Sequence, residues 1–280
     1  GDHHTKLTDI LAGNGAGGLA TIGDEVTEAG RVHNLEGGTV IIGDITVADD
    51  VAIGANAAVV KSFVTTGMAK AICDDYGVTL YETPVGFKFI GEKIQQFQDT
   101  GSHTFLFGFE ESYGFLSSTF VRDKDGVNAS LLIAEAAAYY STQGKTLTDV
   151  MAEIFEKYGY YLEHVESTTL PGIDGLKVMG EIMTRIRNNP PTEIGGVKVK
   201  RVLDIQRGTE TDVATGEVKK LDYPESDVLY FAMEGGHFVC VRPSGTEPKI
   251  KLYVNTNAAD KAAAEQLNAD LRVASEALLK

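Results

Sequence analysis

The residues Ala57-Ala58-Val59-Val60-Lys61-Ser62-Phe63-Val64 decide the fold, because an apolar run of this length is typical of a buried β-strand. The pattern that follows predicts strands over 78–81 and 104–109 and helices over 68–76, 88–97, 127–140 and 146–159. Strands that alternate with helices indicate a parallel sheet with helices on its faces. We therefore expect a three-layer α/β domain over residues 57–163.

The composition changes after Pro171-Gly172. Beyond this break the pattern predicts a helix over 176–187, strands that turn at Glu234-Gly235-Gly236, and a closing helix. A helix, antiparallel strands and a final helix are typical of an α+β domain. We expect this smaller domain over residues 164–280, with a hinge near residues 160–170.

The overall charge argues against some classes of partner. The chain has 280 residues and a formal net charge of −15. Nucleic acid and anionic membranes are therefore not expected partners, although a local basic cluster can still bind a phosphorylated sugar. No membrane span or signal-peptide pattern is present, and two cysteines without metal spacing favour a reducing compartment. We expect a cytoplasmic protein.

One loop between two of the C-terminal strands carries a concentrated set of donors. It reads Arg242-Pro243-Ser244-Gly245-Thr246-Glu247-Pro248-Lys249, and its two prolines stiffen the turn. Arginine binds phosphate bidentately, and the hydroxyls, the lysine and the backbone N–H groups add donors. The residues alone favour a phosphate site and an ordinary polar hairpin about equally. No helix follows directly, so this is not a nucleotide P-loop.

This loop resembles the phosphate-binding loop of the α-D-phosphohexomutases, the phosphoglucomutase and phosphomannomutase family. Upstream, Gly108-Phe109-Glu110-Glu111-Ser112-Tyr113-Gly114 is similar to the sugar-binding loop of the same family. The resemblance extends from about residue 57 to the C-terminus. It implies a sugar-binding set and a phosphate-binding set: Glu110, Glu111 and Ser112 for the sugar, and Arg242, Ser244, Gly245, Thr246 and Lys249 for the phosphate.

Two other segments also resemble the family. Lys88 lies in Gly86-Phe87-Lys88-Phe89-Ile90-Gly91, and Arg122 begins Arg122-Asp123-Lys124-Asp125-Gly126. The resemblance makes Lys88 and Arg122 candidate substrate-contacting residues, and Arg122 could instead order the loop that follows the sugar site. A lone lysine at a helix start is usually solvated, and a charged turn before a helix is ordinary.

The resemblance implies a reversible shift of phosphate between C1 and C6 of a hexose, through a phosphoserine and with Mg²⁺ as cofactor. The 280 residues contain neither a Ser-His-Asn-Pro phosphoserine loop nor an Asp-x-Asp-x-Asp-Arg metal loop. We therefore assign no catalytic residue and no metal ligand. Of the four domains of the family we recognise the last two, so the others would be supplied elsewhere. We expect the chain alone to be inactive or nearly so.

Residues 1–56 are predicted to form an irregular, Gly-rich segment. Apolar residues recur with a period of six at Leu35, Ile41, Val47, Ile53 and Val59. Residues 31–60 therefore weakly resemble a hexapeptide-repeat acyltransferase. The stretch is too short to be a working solenoid, and a Gly-rich chain with frequent valine and isoleucine explains it equally well.

Three functions remain open from the sequence. The leading hypothesis is a phosphohexomutase that interconverts hexose 1-phosphate and hexose 6-phosphate, of which this chain carries the binding half. The second is a non-catalytic sugar-phosphate-binding module, and the third is an acyltransferase-like fusion. Mutase activity distinguishes the first from the second, and binding of an acyl-CoA would favour the third.

Overall fold

The structure is a computed structural model that describes residues 56–170, 174–245 and 247–280. The chain divides into two compact units, with the limit between Tyr158 and Gly159. The segment predicted over residues 1–56 lies outside the described residues, except for Asn56. In the described ranges, no helix has both the length and the apolar character that crossing a membrane requires.

The first unit is a mixed sheet with helices. Its elements are β1 (Ala57–Ser62), α1 (Met68–Asp75), β2 (Thr79–Thr83), α2 (Phe87–Thr100), β3 (Thr104–Glu110), β4 (Gly114–Leu116), α3 (Gly126–Thr142) and α4 (Leu147–Tyr158). The strand order is β2-β1-β3-β4. β1 pairs in parallel with β2 and β3, and β3 forms an antiparallel hairpin with β4.

The core of this unit forms around β1, whose residues are all buried. Helix α2 places apolar side chains three and four residues apart on the face that packs against the sheet. Burial of each large side chain contributes about 1.5–3 kcal/mol, which makes this face the main reason that α2 is stable here. The cluster consists of Ala58, Val60, Phe87, Ile90, Ile94, Phe97, Phe105 and Leu116.

The second unit is an antiparallel sheet with two flanking helices within the described residues. Its elements are β5 (Tyr160–Thr169), α5 (Gly175–Asn188), β6 (Glu193–Ile194), β7 (Val197–Asp204), β8 (Thr209–Asp212), β9 (Val218–Lys220), β10 (Leu229–Met233), β11 (Phe238–Pro243), β12 (Lys249–Ala258) and α6 (Lys261–Ala277). The strand order is β5-β12-β11-β10-β7-β8-β9, and β6 pairs with β7. The central strands and both helices share one apolar core.

These architectures confirm the predicted α/β domain followed by an α+β domain with an antiparallel sheet. The structure differs from the expectation at residues 160–170, where a hinge was predicted. Residues Tyr160–Thr169 instead form strand β5, which pairs with β12 along its length. Polar residues stand on both faces of β5, so the alternation that marks a half-buried strand is missing from the sequence.

Candidate functional site: a sugar loop and a phosphate loop

The carboxyl ends of three parallel strands lie at one edge of the first sheet. Ser62 ends β1, Thr83 ends β2 and Glu110 ends β3, and Ser62 is the register partner of Thr83. All three side chains are buried. Open parallel sheets bind ligands at this edge, so the predicted sugar-binding residues follow the strand that places them there.

Glu110 is held firmly in place. It is 4% exposed, and its Oε1 accepts a hydrogen bond from the backbone N–H of Gly86 at 2.6 Å. Gly86 immediately precedes α2, so this hydrogen bond joins the end of β3 to the start of that helix. A buried carboxylate that accepts a charge-assisted hydrogen bond is an oriented acceptor rather than a solvated one.

Glu111 and Ser112 follow in the hairpin loop and are less buried. The Oε2 of Glu111 accepts a hydrogen bond from the Ser62 hydroxyl at 3.4 Å. Ser62 also shares a 2.6 Å hydrogen bond with the Thr65 hydroxyl. Glu110 therefore contacts the start of α2 and Glu111 contacts the end of β1, while Ser112 is exposed on the loop.

Lys61, next to Ser62, was not among the predicted site residues, and it is buried. Its side chain is 1% exposed, and its Nζ lies 2.7 Å from a carboxylate oxygen of Glu82 and 3.0 Å from the carbonyl oxygen of Thr65. A buried lysine is rare unless it is paired. One feature of the sequence could have indicated Lys61: together with Ser62 it interrupts an otherwise apolar strand.

Lys88 and Arg122 differ in how strongly the structure holds them. Lys88 is exposed in the first turn of α2, with its Nζ 4.8 Å from the centre of the Phe89 ring. The guanidinium of Arg122 donates to the carbonyl oxygen of Thr119 at 2.6 Å and also binds the side chains of Gln95 and Gln98 on α2. These contacts favour the role of ordering the loop for Arg122.

Two glycines allow these segments to pack closely. A Cβ at Gly108 would lie 2.6 Å from Cγ2 of Ile90, and a Cβ at Gly91 would lie 2.6 Å from the carbonyl oxygen of Arg122. Distances below 3.0 Å are not tolerated by real Cβ atoms. Gly108 is therefore required by the contact of β3 with α2, and Gly91 is required by the contact of α2 with the Arg122 loop.

The predicted phosphate loop connects β11 to β12 in the second unit. The backbone N–H of Ser244 donates to the carbonyl oxygen of Lys249 at 2.7 Å, and the N–H of Lys249 donates to that of Glu247 at 2.7 Å. The Ser244 hydroxyl accepts from the N–H of Glu247 at 3.3 Å. Thr246 lies outside the described residues. Hydrogen bonds within the loop therefore help to fix its shape.

The two cations of the phosphate loop differ in their ion pairing. Nζ of Lys249 lies 2.7 Å from Oε2 of Glu247, and this contact lowers the pKa of the Glu247 carboxyl below its ordinary value. Among the described residues, Arg242 takes part in none of the ion pairs. Within the part of the chain that the structure describes, no carboxylate neutralises the charge of Arg242, which leaves this cation available to an anion.

Magnesium was expected from the family resemblance. Within the ranges that the structure describes, no group of three or more His, Cys, Asp or Glu residues is placed to hold a metal ion. Mg²⁺ prefers a set of oxygen ligands that includes carboxylates. The described residues therefore offer no cluster of carboxylates for this ion, and none of them is assigned as its ligand.

Comparison with known proteins identifies both units. The phosphoglucomutase/phosphomannomutase alpha/beta/alpha domain III matches residues 40–158, and the phosphoglucomutase/phosphomannomutase C-terminal domain matches residues 189–273. The chain belongs to the phosphoglucomutase/phosphomannomutase family. The domain III match begins at residue 40, so it includes most of the stretch that has hexapeptide-like spacing.

Curated members of the family match over most of this chain. Phosphoglucomutase of Staphylococcus aureus MRSA252 is 40% identical over 201 residues, which is 72% of this chain and 36% of the relative. Phosphoglucomutase of the bovine strain RF122 / ET3-1 is 40% identical over 196 residues, or 70% of this chain and 35% of the relative. The chain thus spans little more than a third of the length of these relatives.

A solved structure shows the same fold. The exocytosis-sensitive phosphoprotein parafusin of Paramecium, a phosphoglucomutase in its open form, has a TM-score of 0.55 with this chain. The sequence identity is 20%, and the match covers 80% of this chain and 38% of parafusin. At this identity the likeness supports the fold and not the details of the site.

Proposed function

We propose that this chain binds hexose phosphates and provides the sugar- and phosphate-recognition elements of a phosphohexomutase, which interconverts hexose 1-phosphate and hexose 6-phosphate. The fixed carboxylate of Glu110 at the carboxyl edge of the parallel sheet carries this proposal. Family membership and the partly exposed Arg242 loop support it. Glucose and mannose phosphates both fall within the proposal, since they present similar hydroxyls.

The proposed sugar contacts follow from the arrangement of Glu110, Glu111 and Ser112. Two carboxylates accept hydrogen bonds from hydroxyl groups, and the serine hydroxyl can donate or accept. Because Gly86 and Ser62 already orient the carboxylates, little ordering is needed when a sugar binds. Lys88, exposed in the first turn of α2, would add a cation near the substrate.

The proposed phosphate contacts are Arg242, Ser244, Gly245, Thr246 and Lys249. Arg242 supplies a fork of N–H donors that matches phosphate oxygens, and Ser244 and Gly245 add a hydroxyl and a backbone N–H. The ammonium of Lys249 becomes available when its ion pair with Glu247 opens. That pair is exposed, and exposed pairs contribute little free energy, so a phosphate can displace the carboxylate.

Two variants test the proposal by calorimetric titration of the full chain. Arg242→Ala should weaken binding of glucose 6-phosphate and of inorganic phosphate by roughly 1.5–3 kcal/mol, the loss expected for charge-assisted hydrogen bonds. Glu110→Gln should weaken binding of glucose 6-phosphate and leave inorganic phosphate unchanged. Lys261→Ala is the control, because it removes the same charge from an exposed position on α6.

Either assignment can fail by itself. Equal losses for glucose and glucose 6-phosphate in Arg242→Ala would show that Arg242 does not act on the phosphate. A fall in inorganic phosphate binding in Glu110→Gln, as large as that for the sugar phosphate, would place the effect of Glu110 on the fold instead.

The second candidate is a sugar-phosphate-binding module without catalytic activity. The absence of a Ser-His-Asn-Pro loop from the 280 residues favours it for the chain taken alone. A coupled assay that follows glucose 6-phosphate, with glucose 1-phosphate, Mg²⁺ and a hexose bisphosphate, should then show no appreciable turnover. Turnover within a few-fold of an intact mutase, lost in Arg242→Ala, would show that this chain supplies the nucleophile.

A further inference from the structure

Tyr113, in the sugar loop, has a backbone conformation that tyrosine rarely adopts. Its φ is 61°, and among the described residues it is the one non-glycine residue with a positive φ. In this left-handed region Cβ crowds the following carbonyl oxygen, so a bulky residue there is a true outlier. Glycine occupies the other positive-φ positions of the described chain, as the crowding predicts.

The hairpin explains why this conformation is needed. Glu110 of β3 is paired with Gly114 of β4, so the loop between them consists of Glu111, Ser112 and Tyr113. Hairpin loops of three residues end with a residue in the left-handed conformation, and glycine is preferred there. The turn therefore requires a positive φ at residue 113, and the sequence supplies tyrosine where glycine would be less strained.

Packing does not explain the aromatic ring. Tyr113 is 90% exposed, so its side chain gains almost no free energy from burial in this unit. Phe115, two residues further along the same hairpin, shows the contrast, because its ring stacks on Phe107 with 6.3 Å between the centroids. Residues held in strained backbone conformations cluster at ligand-binding and active sites, so this conformation points to a role in binding.

We propose that Tyr113 is a sugar-contacting residue whose ring packs against the C–H face of the bound hexose. This inference rests on the proposed function and deepens it. A hexose has hydroxyls at its rim and C–H groups on its faces, and an aromatic ring offers a large apolar surface with few rotamers to fix. Ser112 and Glu111 would bind hydroxyls while the adjacent Tyr113 covers an apolar face of the same sugar.

Three variants of the full chain separate the ring from the backbone. Tyr113→Gly and Tyr113→Asn remove the ring and suit the left-handed conformation, and Tyr113→Phe keeps the ring. The first two should raise the melting temperature by about 1–3 °C, since strain is relieved. They should also weaken glucose 6-phosphate binding about 3- to 10-fold in calorimetry, while Tyr113→Phe stays within about twofold. Inorganic phosphate binding should not change.

The control is Glu110→Gln, which tests the site independently. If Tyr113→Asn and Tyr113→Gly bind glucose 6-phosphate as the unaltered chain does while Glu110→Gln loses it, the ring is not part of the sugar site and the proposed function stands. If the unaltered chain binds glucose 6-phosphate no better than inorganic phosphate, the proposed function fails and the role of Tyr113 with it. A lower melting temperature in both ring-removing variants would also overturn the inference, because the ring would then stabilise the fold.

Discussion

The sugar loop and the phosphate loop hold their glutamates in opposite ways. Glu110 is 4% exposed and accepts a 2.6 Å hydrogen bond from the backbone N–H of Gly86. Glu247 is exposed, and its partner is the flexible side chain of Lys249 at 2.7 Å. The first carboxylate is fixed by the edge of a buried sheet, whereas the second is held by a contact that solvent and salt can break.

This difference matches what each loop is proposed to recognise. A sugar is neutral and is selected by the positions of its hydroxyls, so the groups that bind it must be preorganised. A phosphate carries charge and is attracted by cations such as Arg242 before any fine geometry is reached. The fold supplies the order of the sugar loop, and local charge supplies the attraction of the phosphate loop.

The largest expected effect is on the free energy of unfolding, and it compares a glycine of the sugar loop with a glycine of the phosphate loop. Gly108→Ala places a Cβ 2.6 Å from Cγ2 of Ile90, which is fully buried and stiff because it is β-branched. We expect a loss of about 1–3 kcal/mol in the free energy of unfolding, as for other overpacked cores. Gly245→Ala meets no atom within 4 Å and should change stability by less than about 0.5 kcal/mol. Urea denaturation measures both.

Gly126→Ala is a second control, since it lies in the first unit and also meets no atom within 4 Å. Similar losses in Gly108→Ala and Gly126→Ala would mean that any glycine substitution weakens this unit. The tight contact between α2 and β3 would then not be what holds the sugar loop.

A smaller effect concerns a second glutamate of the first unit. Burial raises the pKa of Glu135, on α3, to about 7. The folded state therefore disfavours the charged form of this carboxyl. Its contribution to the free energy of unfolding is fully present below the ordinary pKa of 4.5 and is lost as pH rises through about 7. Glu135→Gln should raise the free energy of unfolding by about 1–2 kcal/mol at pH 8, after allowance for solvent screening, and change it little at pH 4.5.

Urea titrations at the two pH values measure this difference. Glu156→Gln, an exposed residue on α4, is the matched control. A gain for Glu135→Gln that is the same at both pH values would show that removal of the charge is not its cause.

The sequence predicts most of the helices and strands, because these depend on local patterns. The strand predicted over 104–109 is β3, which ends one residue later at Glu110. The short strands β8 and β9 were not predicted, because their residues show no apolar alternation. Strand β5 was not predicted either, because polar residues stand on both of its faces. Its pairing partner β12 also lies about 90 residues further along the chain, so no local pattern indicates the pairing.

Lys61 and Tyr113 show what the sequence cannot give at the site. The burial of Lys61 depends on pairing with Glu82 across neighbouring strands, and this follows from the register of the sheet. The left-handed conformation of Tyr113 depends on the pairing of Glu110 with Gly114. Neither follows from residue type, because each is set by contacts between segments.

The smallest expected effect tests whether the Glu247–Lys249 ion pair competes with phosphate. The carboxylate of Glu247 is paired with the ammonium of Lys249, so a phosphate must displace this carboxylate to reach the ammonium. Glu247→Gln should therefore tighten binding of inorganic phosphate about 2- to 4-fold at low salt, and less in 0.5–1 M salt.

Glu217→Gln removes the same charge from a similar exposed pair with Lys219 and should change binding less. Calorimetric titration of both variants gives the comparison. Weaker phosphate binding in Glu247→Gln would mean that Glu247 positions Lys249 for the ligand, and the phosphate loop would then be preorganised as the sugar loop is.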